Sequence, residues 1–137
     1  MKSALVRLLA PVLLVALALC AGCDTAPQRQ ARSTLTCILV PDHPADPVKI
    51  AIVTGIKVVL PGPDAGSNLV WEIASNNNKV LEQTTPLRVS PGSPVTTTAS
   101  FYALKPGKSV LRFFLVPPGN KEAVPAARCE LTVRVSD

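Results

Sequence analysis

Apolar and polar positions alternate strictly along residues 127–135. The apolar set comprises Ala127, Cys129, Leu131, Val133 and Val135, and the polar set comprises Arg128, Glu130, Thr132 and Arg134. A period of two predicts a β-strand with one buried and one solvated face, because successive side chains of a strand point to opposite sides. Cys129 belongs to the apolar set, so we expect it to face the core.

Six further runs of mostly aliphatic, aromatic or threonine residues are bounded by proline and glycine and predict strands. They cover residues 35–40, 48–54, 56–60, 69–74, 95–104 and 109–116. The sequence Lys105-Pro106-Gly107 predicts a tight turn, because proline fixes φ and glycine accepts a positive φ. We expect this turn to join its two neighbouring strands in a hairpin.

About seven short strands without a long helix predict an all-β fold, an immunoglobulin-like β-sandwich over residues 35–137. A chain of this length supports a single domain with one core. Trp71 lies within a predicted strand, so we expect it in the core rather than at a binding site. Asn76-Asn77-Asn78 predicts a turn whose side chains bond the local backbone.

The first 22 residues have the pattern of a signal peptide. Lys2 and Arg7 precede an apolar run over residues 8–19, and the small pair Ala21-Gly22 follows. The run has about a dozen residues, short of the roughly 20 that a membrane-spanning helix needs. Residues 23–34 show no apolar periodicity and predict a flexible tether.

The end of this segment, Ala21-Gly22-Cys23, resembles the lipobox of bacterial lipoproteins. The resemblance implies that Cys23 is lipidated and becomes the first residue of the mature chain. It also implies a lipid anchor at a membrane of the bacterial cell envelope, on its periplasmic or surface side. Cys20 stands where the lipobox usually has leucine. The alternative is ordinary cleavage near this step, which would leave a soluble periplasmic protein with an unpaired thiol.

Export predicts a disulfide between the two remaining cysteines, Cys37 and Cys129, because thiols pair in oxidising compartments. The bond would tie the first strand to the last. It would close a loop of about 90 residues and stabilise the fold by roughly 4–5 kcal/mol less strain. A metal site is the weaker alternative, because two isolated thiols lack a nearby histidine or a C-x-x-C pair.

The sequence predicts no enzyme, no metal site and no cofactor. Its single histidine, His43, lies beside Asp42 in a proline-bounded turn, where neighbours rarely reach the geometry of a catalytic dyad. Carboxylates are dispersed, and no glycine-rich loop opens a helix. The net charge of +5 falls to +3 once Lys2 and Arg7 are removed. The basic residues are scattered along the chain, which argues against nucleic-acid binding.

The stretch from Ile56 to Val135 resembles the chagasin-like inhibitors of papain-type cysteine proteases, which are small immunoglobulin-like sandwiches. The resemblance rests on the scaffold segments Leu60-Pro61, 70–73, 79–82, 101–109 with 111–113, and 125–128 with 131–135. It implies that three loops at one end of the sandwich plug a protease cleft. The residues expected in these loops are Pro63, Asp64, Ala65, Gly66, Ser67 and Asn68; Gly92, Ser93 and Pro94; and Pro117, Pro118 and Gly119.

These loops keep prolines and glycines of the family pattern but lack its tyrosine, arginine and tryptophan. Such large side chains usually carry most of an interface's binding energy. The resemblance implies an inhibitor whose partner is a papain-like cysteine protease or another envelope protein. The alternative is a non-inhibitory immunoglobulin-like module of the cell envelope with a structural or adhesive role.

Overall fold

The computed structural model of the protein describes residues 30–137. The predicted signal peptide, the lipidation site Cys23 and residues 23–29 of the predicted tether lie outside these residues. The described chain forms eight strands: β1 (Ser33–Ile38), β2 (Val48–Ala51), β3 (Thr54–Pro61), β4 (Val70–Ser75), β5 (Leu81–Ser90), β6 (Thr96–Ala103), β7 (Gly107–Val116) and β8 (Ala127–Ser136). Because β1 begins at Ser33, the folded domain starts two residues before its predicted boundary.

The strands form two four-stranded sheets with the orders β1-β3-β6-β5 and β2-β8-β7-β4. This arrangement confirms the all-β immunoglobulin-like sandwich. Two pairs are parallel, β1 with β3 and β2 with β8, and the other pairs are antiparallel. The N-terminal part of the domain therefore contributes one edge strand to each sheet. Within residues 30–137, no helix is long and apolar enough to cross a bilayer.

Side chains from the two inner faces form one hydrophobic core. Phe101 of β6 and Phe113 of β7 are fully buried and meet edge to face, with ring centroids 6.5 Å apart. Trp71 is 5% exposed and belongs to the same core, as the sequence predicted. Cys129 is also buried, in agreement with the alternation in β8. Burying each large apolar side chain contributes about 1.5–3 kcal/mol.

The edge strand β5 was missed by the strand pattern. Its residues 82–86 are mostly polar, Pro86 interrupts them, and the strand buries little beyond Leu81. The register with β6 shifts between Gln83 and Thr85 and again between Thr85 and Arg88. Proline is tolerated in edge strands and at bulges, since its missing N–H then breaks no ladder bond. β5 meets both conditions.

The turn after β6 exists, but the predicted hairpin is wrong. Residues 104–106 connect β6 in one sheet to β7 in the other, so these two strands do not pair. Gly107 has a φ of 151°, and a Cβ there would approach Val80 Cγ2 to 2.8 Å. The Leu104 N–H donates to the Val80 carbonyl over 2.8 Å. The pattern thus located the turn correctly, whereas core packing decided which strands it joins.

The Asn76–Asn78 turn bonds more than its own backbone. The Ser109 hydroxyl, 1% exposed, donates to Asn76 Oδ1 over 2.8 Å and accepts from the Asn77 N–H over 2.9 Å. The Lys79 N–H donates to Asn77 Oδ1 over 3.2 Å, which is the local bonding that the sequence predicted. Ser109 therefore fixes the connection between β4 and β5 to the start of β7.

Cys37 and Cys129 are free thiols in this structure, so the predicted disulfide is not formed. Cys37 is half-buried on β1, and Cys129 is buried on β8. The two strands belong to different sheets. The expectation that the pair would join the first strand to the last was based on redox compartment and cysteine count, which do not position the two sulfurs.

Candidate functional site at the loop end

The three predicted loops emerge at the same end of the sandwich. They connect β3 to β4, β5 to β6 and β7 to β8. The strand register places their flanking residues together: Pro61 and Ser90 both pair with Thr96, and Val70 pairs with Val116. We call this end the loop end. All twelve predicted binding residues lie in these connections, and only Pro63 and Pro117 are half-buried rather than exposed.

The first two loops are joined through Gly62. Its N–H donates to the Val95 carbonyl over 2.9 Å. A Cβ at position 62 would lie 2.7 Å from both Val95 Cγ1 and Val95 O, well inside ordinary contact distance. Only glycine permits this approach, so the β3–β4 and β5–β6 connections form one continuous surface.

The first loop contains a tight turn at its tip. The Ser67 N–H donates to the Asp64 carbonyl over 2.9 Å, and Gly66 adopts a φ of 85°. A positive φ at the third residue is what a type II turn requires, and glycine adopts it without steric cost. Asp64, Ala65 and Ser67 are therefore presented on an ordered loop.

The third loop has the same construction. The Asn120 N–H donates to the Pro117 carbonyl over 3.1 Å, and Gly119 has a φ of 79°. Pro118 occupies the second turn position, where its fixed φ favours the turn. Lys121 Nζ lies 3.9 Å from Glu72 Oε2 on β4, a weak exposed ion pair. Pro118 and Gly119 of the predicted segment therefore both favour this turn.

A hydrogen bond between the two sheets connects the strands that flank the first loop. Trp71 Nε1–H donates to the Pro61 carbonyl over 2.8 Å. Trp71 lies on β4 and Pro61 on β3, so the bond fixes both ends of the first loop. Close by, Thr97 of β6 is 3% exposed, and its hydroxyl has no hydrogen-bond partner among the described residues.

Exposed apolar side chains concentrate at the loop end. Val124 in the third loop is 87% exposed, and Val95 in the second is 41% exposed. Val89 near the end of β5 and Val40 just after β1 are 57% and 55% exposed. The sequence pattern does not distinguish Val124, Val89 or Val40, because it does not show which valines face solvent. They give this end an apolar surface without aromatic residues.

A fourth connection, between β1 and β2, also reaches the loop end, and the sequence did not predict this. The Asp42 N–H donates to the Arg128 carbonyl over 2.8 Å, and Asp42 Oδ1 accepts from the Arg128 N–H over 3.3 Å. His43 Nδ1 lies 2.9 Å from the Pro41 carbonyl. Asp42 thus bonds the start of β8 while His43 bonds its own turn, so the two side chains form no catalytic dyad.

The two cysteine thiols of the described chain have raised pKa values. Burial raises the pKa of the Cys37 thiol, and burial together with the Asp42 carboxylate raises the pKa of Cys129 to about 11. Both thiols therefore stay protonated near neutral pH, whereas a nucleophilic cysteine needs a lowered pKa. Among residues 30–137, no group of three His, Cys, Asp or Glu side chains could hold a metal ion.

Solved structures similar to this chain include cysteine protease inhibitors. The inhibitor EhICP2 from Entamoeba histolytica has a TM-score of 0.61 at 15% identity, over 77% of this chain and 98% of the inhibitor. Amebosin has a TM-score of 0.53 at 17% identity, over 76% and 97%. PbICP-C, solved in complex with falcipain-2, has a TM-score of 0.50 at 14% identity, over 78% and 92%.

No protein-family profile matches the chain, and no curated protein sequence matches it significantly. At identities of 14–17%, the similarity establishes the fold. This structural similarity agrees with the resemblance to chagasin-like inhibitors that the scaffold segments of the sequence show. The chain therefore has the immunoglobulin-like sandwich found in solved cysteine protease inhibitors.

Proposed function

We propose that the protein inhibits papain-type cysteine proteases by inserting its loop end into the substrate cleft. The observation that carries the proposal is the convergence of three ordered loops at one end of a fold shared with solved cysteine protease inhibitors. One of those inhibitors, PbICP-C, was solved in complex with falcipain-2. An inhibitor of this kind needs a wedge of loops rather than catalytic groups.

The binding energy would come from a surface different from the one that the family pattern implies. The loops offer valines, with Val124 and Val95 exposed, in place of tryptophan and arginine anchors. The turns at Gly66 and Gly119 and the contact at Gly62 fix the loop backbones before binding. Preorganised loops lose less conformational entropy on binding, which improves affinity without additional contacts.

The test is inhibition of papain and of a cathepsin-like protease by the chain from residue 23 onward, unlipidated, at concentrations up to about 10 µM. We expect inhibition that Val124→Asp weakens at least about tenfold, because a charge would then be desolvated in the cleft. The matched control is Ile52→Asp at the opposite end, where the replaced residue is also exposed. Ile52→Asp should inhibit like the unchanged protein.

A folded protein without effect on either protease would contradict the proposal. It would favour the second candidate, a non-inhibitory immunoglobulin-like module of the cell envelope. The absence of tryptophan, tyrosine and arginine from residues 62–68, 91–95 and 117–126 favours that candidate. Equal inhibition by Val124→Asp and Ile52→Asp would instead place the inhibitory surface away from the third loop.

We further propose that the protein is exported and anchored by lipid on Cys23, in keeping with the sequence Ala21-Gly22-Cys23. The test is metabolic labelling with a fatty acid in a bacterial host, followed by mass spectrometry of the mature protein. Cys23→Ser should abolish labelling, whereas Cys20→Ser, the control in the same segment, should leave it intact. Labelling that survives Cys23→Ser would refute the anchor.

A further inference from the structure

The end of the sandwich opposite the loops is where residues 1–29 attach. Strand β1 begins there, with Ser33 paired to Thr54, and the Arg32 N–H donates to the Val53 carbonyl over 3.1 Å. The β2–β3, β4–β5 and β6–β7 connections lie at the same end. We call it the tether end. Any anchor on the preceding residues therefore holds this end of the domain, and not the loop end.

Three cations lie side by side across neighbouring strands near the tether end. Lys49 of β2 pairs in register with Arg134 of β8, and Arg134 pairs with Lys108 of β7. All three are exposed and each is followed by a buried residue, Ile50, Ser109 or Val135, so the cations share the outer face of one sheet. Like charges directly opposite each other on adjacent strands destabilise a sheet. We call this arrangement the cation row.

The cation row is not neutralised within the described chain. Two ion pairs among the described residues, Arg112 with Glu130 and Lys121 with Glu72, include no member of the row. Further exposed cations lie at the tether end: Arg32, Lys79 and Lys105. The carboxylates nearest this end are Glu82, on the outer face of the other sheet, and Asp137. The tether end is therefore predominantly positive.

We propose that the tether end docks onto a membrane surface rich in anionic lipid headgroups. The proposal rests on the lipid anchor proposed at Cys23. The segment from Cys23 to Gln30 spans at most about 25 Å even when fully extended. The cations of the tether end would then stay close to the bilayer, where each lysine or arginine is attracted by the negative surface potential.

This docking accounts for the presence of the cation row, although opposed like charges on adjacent strands destabilise a sheet. Anionic headgroups supply the counter-charges that the domain does not. Strands of ten residues, such as β7 and β8, extend roughly 33 Å, so the loop end points away from the bilayer. The surface proposed to enter a protease cleft is then presented outward.

The test uses the unlipidated chain from residue 23 with Cys23→Ser, so that its result does not depend on the anchor or on protease inhibition. Binding is measured by co-sedimentation with phosphatidylcholine vesicles that contain or lack phosphatidylglycerol. We expect binding only with phosphatidylglycerol, and we expect added salt to reverse it.

Two variants remove equal charge from exposed strand positions. Lys108→Thr with Arg134→Thr disrupts the cation row, whereas Lys57→Thr with Arg88→Thr alters the outer face of the other sheet. Each lost cation near the membrane should weaken binding about fivefold, so the first pair should lose roughly 25-fold. The second pair should change binding by less than about threefold, because Lys57 lies midway along β3 and Arg88 lies near the loop end, both farther from the bilayer.

Equal weakening by both pairs would overturn the proposal, because net charge and not the cation row would then govern binding. Absence of binding to phosphatidylglycerol vesicles would overturn it as well. Tighter binding to a single-stranded oligonucleotide than to these vesicles would reassign the surface to nucleic acid. Circular dichroism should show both variants folded. The first removes opposed like charges, which relieves repulsion, and the second places threonine, a residue common in strands, at two exposed strand positions.

Discussion

Replacing Gly62 by alanine should separate the first two loops without unfolding the domain. The new Cβ would lie 2.7 Å from Val95 Cγ1 and Val95 O and 2.9 Å from Val95 C. Carbon atoms in contact prefer about 3.5–4.0 Å, so one loop must retreat by roughly 1 Å. That displacement breaks the 2.9 Å hydrogen bond from the Gly62 N–H to the Val95 carbonyl.

The expected decrease in the free energy of unfolding is the sum of two contributions. Overpacking costs about 1–3 kcal/mol, and a lost backbone hydrogen bond costs about 0.5–1.5 kcal/mol. We therefore expect Gly62→Ala to lower the free energy of unfolding by about 2–4 kcal/mol, within the 5–15 kcal/mol typical of a domain. Inhibition of papain should weaken by at least about tenfold, because the two loops no longer form one surface.

The assays are urea denaturation and inhibition titration of the same preparations. The control is Gly66→Ala, whose Cβ would meet nothing within 4 Å and whose only burden is the positive φ of 85°. That strain costs about 1–2 kcal/mol. Adding Val95→Ala should not rescue Gly62→Ala, because the backbone of residue 95 remains too close. A Gly62→Ala protein with unchanged stability would refute the close contact, and rescue by Val95→Ala would show that only the side chain matters.

Three further outcomes are expected. Thr97→Val should raise the free energy of unfolding by about 1 kcal/mol, since it removes a buried hydroxyl without a described partner; a loss of stability in thermal denaturation would show that the hydroxyl is bonded. Ser109→Ala should lower it by about 2 kcal/mol, because Asn76 and Asn77 both lose a bond to its hydroxyl, whereas exposed Ser136→Ala should change it little. For the reduced protein, the pKa of Cys129 is raised from 9.0 to about 11, so the folded state keeps a proton that the unfolded chain releases. This group therefore leaves the free energy of unfolding unaffected below pH 9 and lowers it as the pH rises toward 11. Denaturation at several pH values should show that the unchanged protein loses more stability over this range than Cys129→Ala does. Parallel curves for the two proteins would contradict this reasoning.

The strands with strong alternation could be predicted from the sequence, and those without it could not. β8 follows its apolar positions within one residue, because one face of the strand is buried along its whole length. β5 escaped prediction because it is an edge strand with Pro86 and shifts of register, and it buries little beyond Leu81. Strand pairing was also beyond the pattern, since the turn at Pro106 fits a hairpin and a crossover between sheets equally well.

The sequence predicts which loops form the candidate site but not which side chains these loops expose. Residues 62–68, 91–95 and 117–121 could be placed at one end through the resemblance and the order of the strands. The exposure of Val124 and the arrival of the Asp42 turn beside Arg128 depend on tertiary packing. A one-dimensional pattern contains no signal for either.

The parallel pairing of β2 with β8 also orders the assembly of the domain in time. Val48 finds its partner Val133 only when nearly the whole chain has been synthesised, so this contact has a high sequence separation. Such contacts form late, because the entropy of closing a long loop must be overcome first. A nascent chain that ends before β8 leaves β2 without a partner and the core open. The domain should therefore remain unfolded, and accessible to chaperones, until its last strand emerges.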